Sequence, residues 1–386
     1  MLFMNIQKLI IAILIILISI EIWDKYFRQV EPPIQLPPVD LIAPDVSPKP
    51  EPPKTITFED ALKSISRADI EKNLKYLASD ELEGRMSGKK GNVLAAEFIK
   101  KQCESFGLTT EYQKFNIRRV NPGPKNETGD DFTQNIIAVL PGATKPNEIV
   151  VCGAHMDHLG HGLAMSRSSR MAIHPGADDN ASGTVALLEI ARAFSKLKPA
   201  RTVLFQFYSA EEMGLIGSRY YCENPTFPKG NPNIRSHVFM LNMDMVGYLK
   251  SGFYFSGFNA GNSSFDITKI INNLNQKYSF AKRITSQGSG GSDHASFYNK
   301  KIPIAFLHTG LHDYYHTPED TADKINFDGI EQVARYAFEL AWKVSNDDVA
   351  PVFNYGNFTP MEYTHDHGHP GVPFYIHQYH KHTHEE

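Results

Sequence analysis

Four apolar runs in this chain each stop at a residue that can bind a metal, and this regularity constrains the fold more than any other feature. Ile149-Val-Val-Cys-Gly-Ala leads to His155-Met-Asp157, and Val203-Leu-Phe-Gln-Phe-Tyr-Ser-Ala leads to Glu211-Glu212. Val238-Phe-Met-Leu-Asn-Met leads to Asp244, and Ile304-Ala-Phe-Leu leads to His308 and then Tyr315-His316-Thr-Pro. Short runs of this kind read as strands, with 135–140 and 149–153 as the first two, while helical patterns cover 67–78, 92–106, 181–197, 265–278 and 329–344. The alternation predicts an α/β fold: a single globular domain over 57–350 with a mixed, mostly parallel β-sheet flanked by helices on both faces. In open sheets of this class ligands bind beyond the carboxyl ends of the strands, so polar residues just past several such ends converge by topology.

The residue types then narrow the ligand. Two histidines with several carboxylates and no cysteine suit zinc, with cobalt or manganese as substitutes. Five donors exceed what one catalytic zinc takes from protein while keeping an open position. They become sensible if one carboxylate bridges two ions about 3.5–4 Å apart. Each motif alone also has an ordinary reading. Asp178-Asp179-Asn180 suits a turn and N-cap before a helix, Thr317-Pro318-Glu319-Asp320 resembles a helix start, and Glu211-Glu212 suits a solvated strand end. Their joint placement after successive strands favours a metal site.

Composition excludes other classes. Of 386 residues 41% are hydrophobic and 21% charged, which is neither a disordered chain nor a polytopic membrane protein. A net charge of −4 carries no electrostatic footprint for nucleic acid. Cys103, Cys152 and Cys222 allow one disulfide at most, so the core must hold the fold. Residues 1–8 precede an apolar stretch at 9–23 that reads as a signal peptide or signal anchor. Residues 24–56 follow as a proline-rich extended linker, with nine prolines between Glu31 and Pro53. The expected location is outside the cytoplasmic membrane, periplasmic or extracellular, with the N-terminal segment as a tether. Residues 351–386 form a His-rich tail, carrying His365, His367, His369, His377, His380, His382 and His384. No obligate protein partner is implied.

His155-Met-Asp157, Gly176-Ala-Asp-Asp-Asn-Ala-Ser-Gly183, Ser209-Ala-Glu-Glu-Met-Gly214, Asn242-Met-Asp244 and His316-Thr-Pro318 together resemble, in order, the zinc-site motifs of the M28 family of co-catalytic di-zinc aminopeptidases. The resemblance covers roughly 68–344 and implies a zinc-exopeptidase-like fold, two Zn²⁺ per chain and peptide substrates. Carried over by position, it implies that Asp179 bridges, that His155 and Asp244 complete one zinc, and that Glu212 and His316 complete the other. Glu211 would be the general base acting on a water acidified by the zinc pair. Asp157 would hold the ring of His155. The family also tends to have a cis peptide after the bridging acid, here Asp179–Asn180. Tyr315 matches a tyrosine found at that position in some members, a candidate donor to the tetrahedral oxyanion. Ser292-Asp293-His294 resembles a stretch placed at the substrate pocket, though a role in loop structure is open. His158, His161 and His174 match no ligand position and are assigned to the surface.

The leading expectation is therefore an aminopeptidase. A carboxypeptidase or dipeptidase on the same scaffold would need an arginine for the substrate carboxylate, and Arg167, Arg170, Arg219 and Arg283 all lie near motifs. A glutaminyl-cyclase-like transferase works with one zinc and would not need all five ligands. A non-catalytic zinc protein would not need Glu211.

Overall fold

In the computed structural model, which describes residues 56–117, 131–162, 165–249, 255–256, 263–278, 282–283 and 291–361, strand β4 is buried along its whole length inside a six-stranded sheet. In chain order the strands are β1 (Thr109–Asn116), β2 (Phe132–Leu140), β3 (Lys145–His155), β4 (Arg201–Tyr208), β5 (His237–Met243), β6 (Phe255–Ser256), β7 (Lys282–Arg283) and β8 (Ile304–Leu307). The sheet runs β1-β2-β4-β3-β5-β8, and β6 and β7 pair separately. Strands β4, β3, β5 and β8 are mutually parallel, while β2 is antiparallel to both β1 and β4. The architecture is thus the mixed, mostly parallel α/β sheet expected.

The helices are α1 (Phe58–Lys63), α2 (Arg67–Leu77), α3 (Lys90–Ser105), α4 (Gly183–Phe194), α5 (Ile216–Glu223), α6 (Phe265–Lys277), α7 (His294–Asn299) and α8 (Phe327–Asn346). Local chemistry starts several of them. Thr57 and Asp60 form a capping box on α1, Ser66 caps α2, and the Asn326 side chain accepts from Gly329 N–H at the start of α8.

Side chains alternate across the parallel strands, so a hydrophobic core forms on each face. Val150, Cys152, Ala154, Phe205, Phe207 and Leu241 pack into the larger core with α2, α3, α4 and α8. Ile149, Val151, Leu204 and Met240 face the smaller one, closed by Tyr221 and Cys222 of α5 and Phe297 of α7. All three cysteines are buried and free.

Two sequence readings need correction here. The first strand is β1, not the run at 135–140. Its sequence TTEYQKFN is mostly polar because it lies at the sheet edge, with only Gln113 and Phe115 buried. No helix starts at Thr317-Pro318; the nearest helical element is a short 3₁₀ turn at Ala322–Lys324. The apolar stretch 9–23, the linker as far as residue 55 and the tail from residue 362 lie outside the described residues. Among the described residues no helix is long and apolar enough to cross a membrane.

Candidate metal centre

Parallel register places the ends of β3, β4 and β5 side by side. His155 aligns with Tyr208, and Gly153 aligns with Asn242, two residues before Asp244. Left-handed residues flank several of these side chains: Ala210 (φ 57°) precedes Glu211, Met245 (φ 53°) follows Asp244, and His316 is itself left-handed (φ 57°). Such conformations are costly for residues with a Cβ and persist where the surroundings enforce them, often at functional sites.

His155, Asp179, Glu211, Glu212, Asp244 and His316 are all buried and converge. His155 Nε2 lies 3.4 Å from Asp179 Oδ1, 3.3 Å from Asp244 Oδ1 and 4.0 Å from Glu211 Oε2. His316 Nε2 lies 3.1 Å from Asp179 Oδ2 and 3.3 Å from Glu212 Oε2. The two oxygens of Asp179 therefore face two different histidine–carboxylate pairs. His155 Nε2 and Asp179 Oδ2 are buried without a partner in hydrogen-bond geometry. Zinc bonds of about 2.0–2.1 Å in a tetrahedron set neighbouring ligand atoms about 3.3 Å apart. The four separations of 3.1–3.4 Å match that edge, so the donor set fits one divalent ion on each side of Asp179.

The charges are consistent with such a site. Burial would lower the two imidazoles, but the acids outweigh it. Glu211 and Asp244 hold His155 well above its ordinary value, and Glu212 with Asp179 lifts His316 to about 9. A divalent cation would take the place of these protons.

The supports are equally specific. Asp157 accepts from Glu211 N–H at 3.2 Å and from the Ser87 hydroxyl at 3.1 Å. The Nδ1 atom of His155 lies 3.3 Å from the Asp157 carbonyl and 3.7 Å from its carboxylate, so Asp157 meets that ring edge with both groups. The peptide Asp179–Asn180 is cis. The Asn180 amide donates to Met243 O, and its oxygen accepts from the N–H groups of Gly183 and Met245, tying the Asp179 loop to the end of β5. Asp320, read from sequence as a capping acid, instead accepts from the N–H groups of Asp178 and Asp179. Arg85, which no motif flagged, is buried and donates to the carbonyls of Leu77, Met156, Pro175 and Gly176.

Tyr315 is buried, stacked on His316 with centroids 3.8 Å apart, and covered by the Arg167 guanidinium. Burial, then the charges of Asp179, Glu212, Glu211 and Asp244, push its hydroxyl well up, so it remains a proton donor. Ser292 is buried and accepts from the Asn242 amide at 2.8 Å. Asp293 is buried, and burial followed by the charge of Glu211 pushes its carboxyl well up. Arg170 pairs with Glu319 at the surface, and the side chain of Arg283 lies outside the described residues.

The surface assignment of two flanking histidines is wrong. His161 is exposed, but His158 and His174 are buried. His174 packs between the Ser166 hydroxyl and Ala172 O, and His158 lies against Glu212. Glycines make the room: a Cβ on Gly162 would lie 2.0 Å from the His174 ring, and one on Gly176 would lie 2.5 Å from that of His158.

A mostly parallel sheet with histidines and acids gathered beyond its carboxyl ends defines an α/β protein of the fold seen in zinc exopeptidases. Residues 135–341 match the model of peptidase family M28, and the chain belongs to that family. Among curated relatives it is 31% identical over 247 residues to leupeptin-inactivating enzyme 1 of Streptomyces exfoliatus, covering 63% of this chain and 48% of that one. It is 33% identical over 217 residues to probable leucine aminopeptidase 1 of Trichophyton verrucosum, covering 52% and 55% respectively. The chain thus spans about half the length of these relatives. Among solved structures, the aminopeptidase of Aneurinibacillus sp. strain AM-1 superposes with a TM-score of 0.61 at 19% identity, over 77% of this chain and 98% of that one. The Bacillus subtilis zinc aminopeptidase BSAP superposes with a TM-score of 0.60 at 17% identity, over 75% and 98%.

Proposed function

We propose that this protein is a co-catalytic di-zinc aminopeptidase that removes N-terminal residues from peptides. The observation that carries the reading is the divergence of the Asp179 oxygens, 3.4 Å from His155 Nε2 on one side and 3.1 Å from His316 Nε2 on the other. His155 and Asp244 would hold one ion, Glu212 and His316 the second, and Asp179 both. When bound, the ion pair supplies positive charge that acidifies water and polarises a scissile carbonyl.

The chain's own residues do the rest. Glu211 accepts the proton of the attacking water and passes it to the leaving amine, held in place through its backbone by Asp157. The Tyr315 hydroxyl donates to the developing oxyanion. One observation favours a dipeptidase or carboxypeptidase instead: the Arg167 guanidinium lies over the Tyr315 ring at 4.5 Å, beside the candidate oxyanion donor, where it could serve a substrate carboxylate. Export and membrane tethering through residues 9–23 complete the proposal.

Glu211→Gln tests the mechanism. Two ions per chain should remain by metal analysis while kcat falls by about 10²–10⁴; full activity would sink the assignment. A single tightly bound ion in the parent protein would favour the cyclase-like alternative. Aminoacyl-nitroanilides set against N-blocked and C-terminal substrates decide the direction of cleavage.

A further inference from the structure

His158 has a place that the ligand set does not account for. Its Nδ1 lies 2.7 Å from Glu212 Oε1, whereas the other oxygen of Glu212 faces His316. Distances separate two kinds of contact. The four proposed ligand–ligand separations are 3.1–3.4 Å, the edge of a zinc tetrahedron. At 2.7 Å the His158–Glu212 contact is too short for two ligands of one ion and suits a charge-assisted hydrogen bond. The separation from Asp179 Oδ2, 3.8 Å, is too long for that edge.

We infer that His158 is a positioning residue for the second metal site, resting on the two-metal reading above. Its Nδ1–H donates to Glu212 Oε1 and leaves Oε2 as the single oxygen presented beside His316 and Asp179. The surrounding backbone is shaped to hold this ring. Gly176, left-handed at φ 57°, leaves its Cβ position to the ring of His158, and the ring meets His316 edge-on with centroids 5.8 Å apart. Partners of this kind fix the orientation of a ligand, and losing one weakens metal binding by about 10–100-fold.

The test isolates each site in the full-length chain. His316→Ala leaves the His155 site and His155→Ala leaves the His316 site, and zinc affinity is measured in each by competition with a chromophoric chelator. Adding His158→Ala to the His155→Ala background should weaken zinc about 10–100-fold, and adding it to the His316→Ala background should change little. His158→Asn, which returns an N–H donor near the same point, should recover most of the loss. Cobalt loaded into the single-site chains should show a changed absorption spectrum only where the His316 site loses His158.

Equal affinity with and without His158 in the His155→Ala background overturns the inference. So does a complete loss of the site that Asn fails to restore, which would make His158 a ligand. If the parent protein binds one ion only, the two-metal reading fails first, and that result is visible before any His158 variant is made.

Discussion

Replacing Arg85 with methionine removes a buried guanidinium that staples three segments together. It donates to Leu77 O at the end of α2, to Met156 O just past His155, and to Pro175 O and Gly176 O in the loop that leads to Asp179, at 2.6–2.9 Å. Bonds from a charged donor are worth about 1.5 kcal/mol each at the low end, so four are worth about 6 kcal/mol. Against this stands the cost of burying the charge. Burial pushes Arg85 well down from its ordinary value, to about 10, despite the nearby acids Asp320, Asp179, Asp157 and Glu212, a penalty of about 3 kcal/mol that methionine would recover. The hydrogen bonds win, and Arg85→Met should lose about 3 kcal/mol. For a chain of this size that lowers Tm by about 4–5 °C. Calorimetry on metal-loaded and chelated protein should show the drop in both states, with Arg85→Lys between the two because one ammonium cannot reach four carbonyls. Zinc affinity should fall as well, since the loops carrying His155 and Asp179 lose their shared anchor. Unchanged midpoints in both states would refute the claim that these carbonyls depend on Arg85.

Three further outcomes are expected. Buried His237, whose Nε2 lies 2.7 Å from the Tyr221 hydroxyl, is pushed down to about 4. The folded state keeps it neutral, so stability present above pH about 6.5 is lost as pH falls toward 4, by about 3 kcal/mol in all; urea midpoints should show a shallower acid limb in His237→Gln, and an identical limb would remove His237 as the cause. In metal-free protein His316 holds its proton to about pH 9, and a ligand imidazole must be neutral. Metal uptake at pH 7 should therefore release protons and weaken as pH falls, which calorimetry in buffers of different ionisation enthalpy can read; uptake with no proton release contradicts the assignment. A Cβ on Gly91 would lie 1.7 Å from Leu82 O, so Gly91→Ala should lift α3 off its neighbouring turn at a cost of about 3 kcal/mol or more, seen as a lower urea midpoint.

What could be read from the sequence follows from topology. Parallel strands buried on both faces appear as unbroken apolar runs, and their ends mark one edge of the sheet. His155, Glu211, Glu212 and Asp244 were thus findable before any coordinates. Asp179 and His316 could be read as candidate donors too, but their separate roles came only from motif resemblance, because they sit on loops whose approach no periodicity reports. The supports were hidden for a different reason. His158 and His174 look like surface residues until Gly176 and Gly162 are seen to make space for their rings. Asp320 sits in a stretch with helix-start chemistry, and only the fold brings it to the amides of Asp178 and Asp179. Arg85 bonds only to backbone carbonyls, which every residue possesses, so no pairing of residue types could announce it.

The alignment of β3, β4 and β5 has a consequence for how such a protein can change. Neighbouring strands stand about 4.8 Å apart by backbone hydrogen bonding alone. His155 and Asp244, at and just past the ends of adjacent strands, therefore inherit their spacing from the main chain. Loops elsewhere can lengthen, shorten or exchange side chains while His155 and Asp244 keep their 3.3 Å separation. The His155–Asp244 half of the candidate site thus keeps the dimensions of a β-sheet, while Asp179, Glu211, Glu212 and His316 can shift with the loops that carry them.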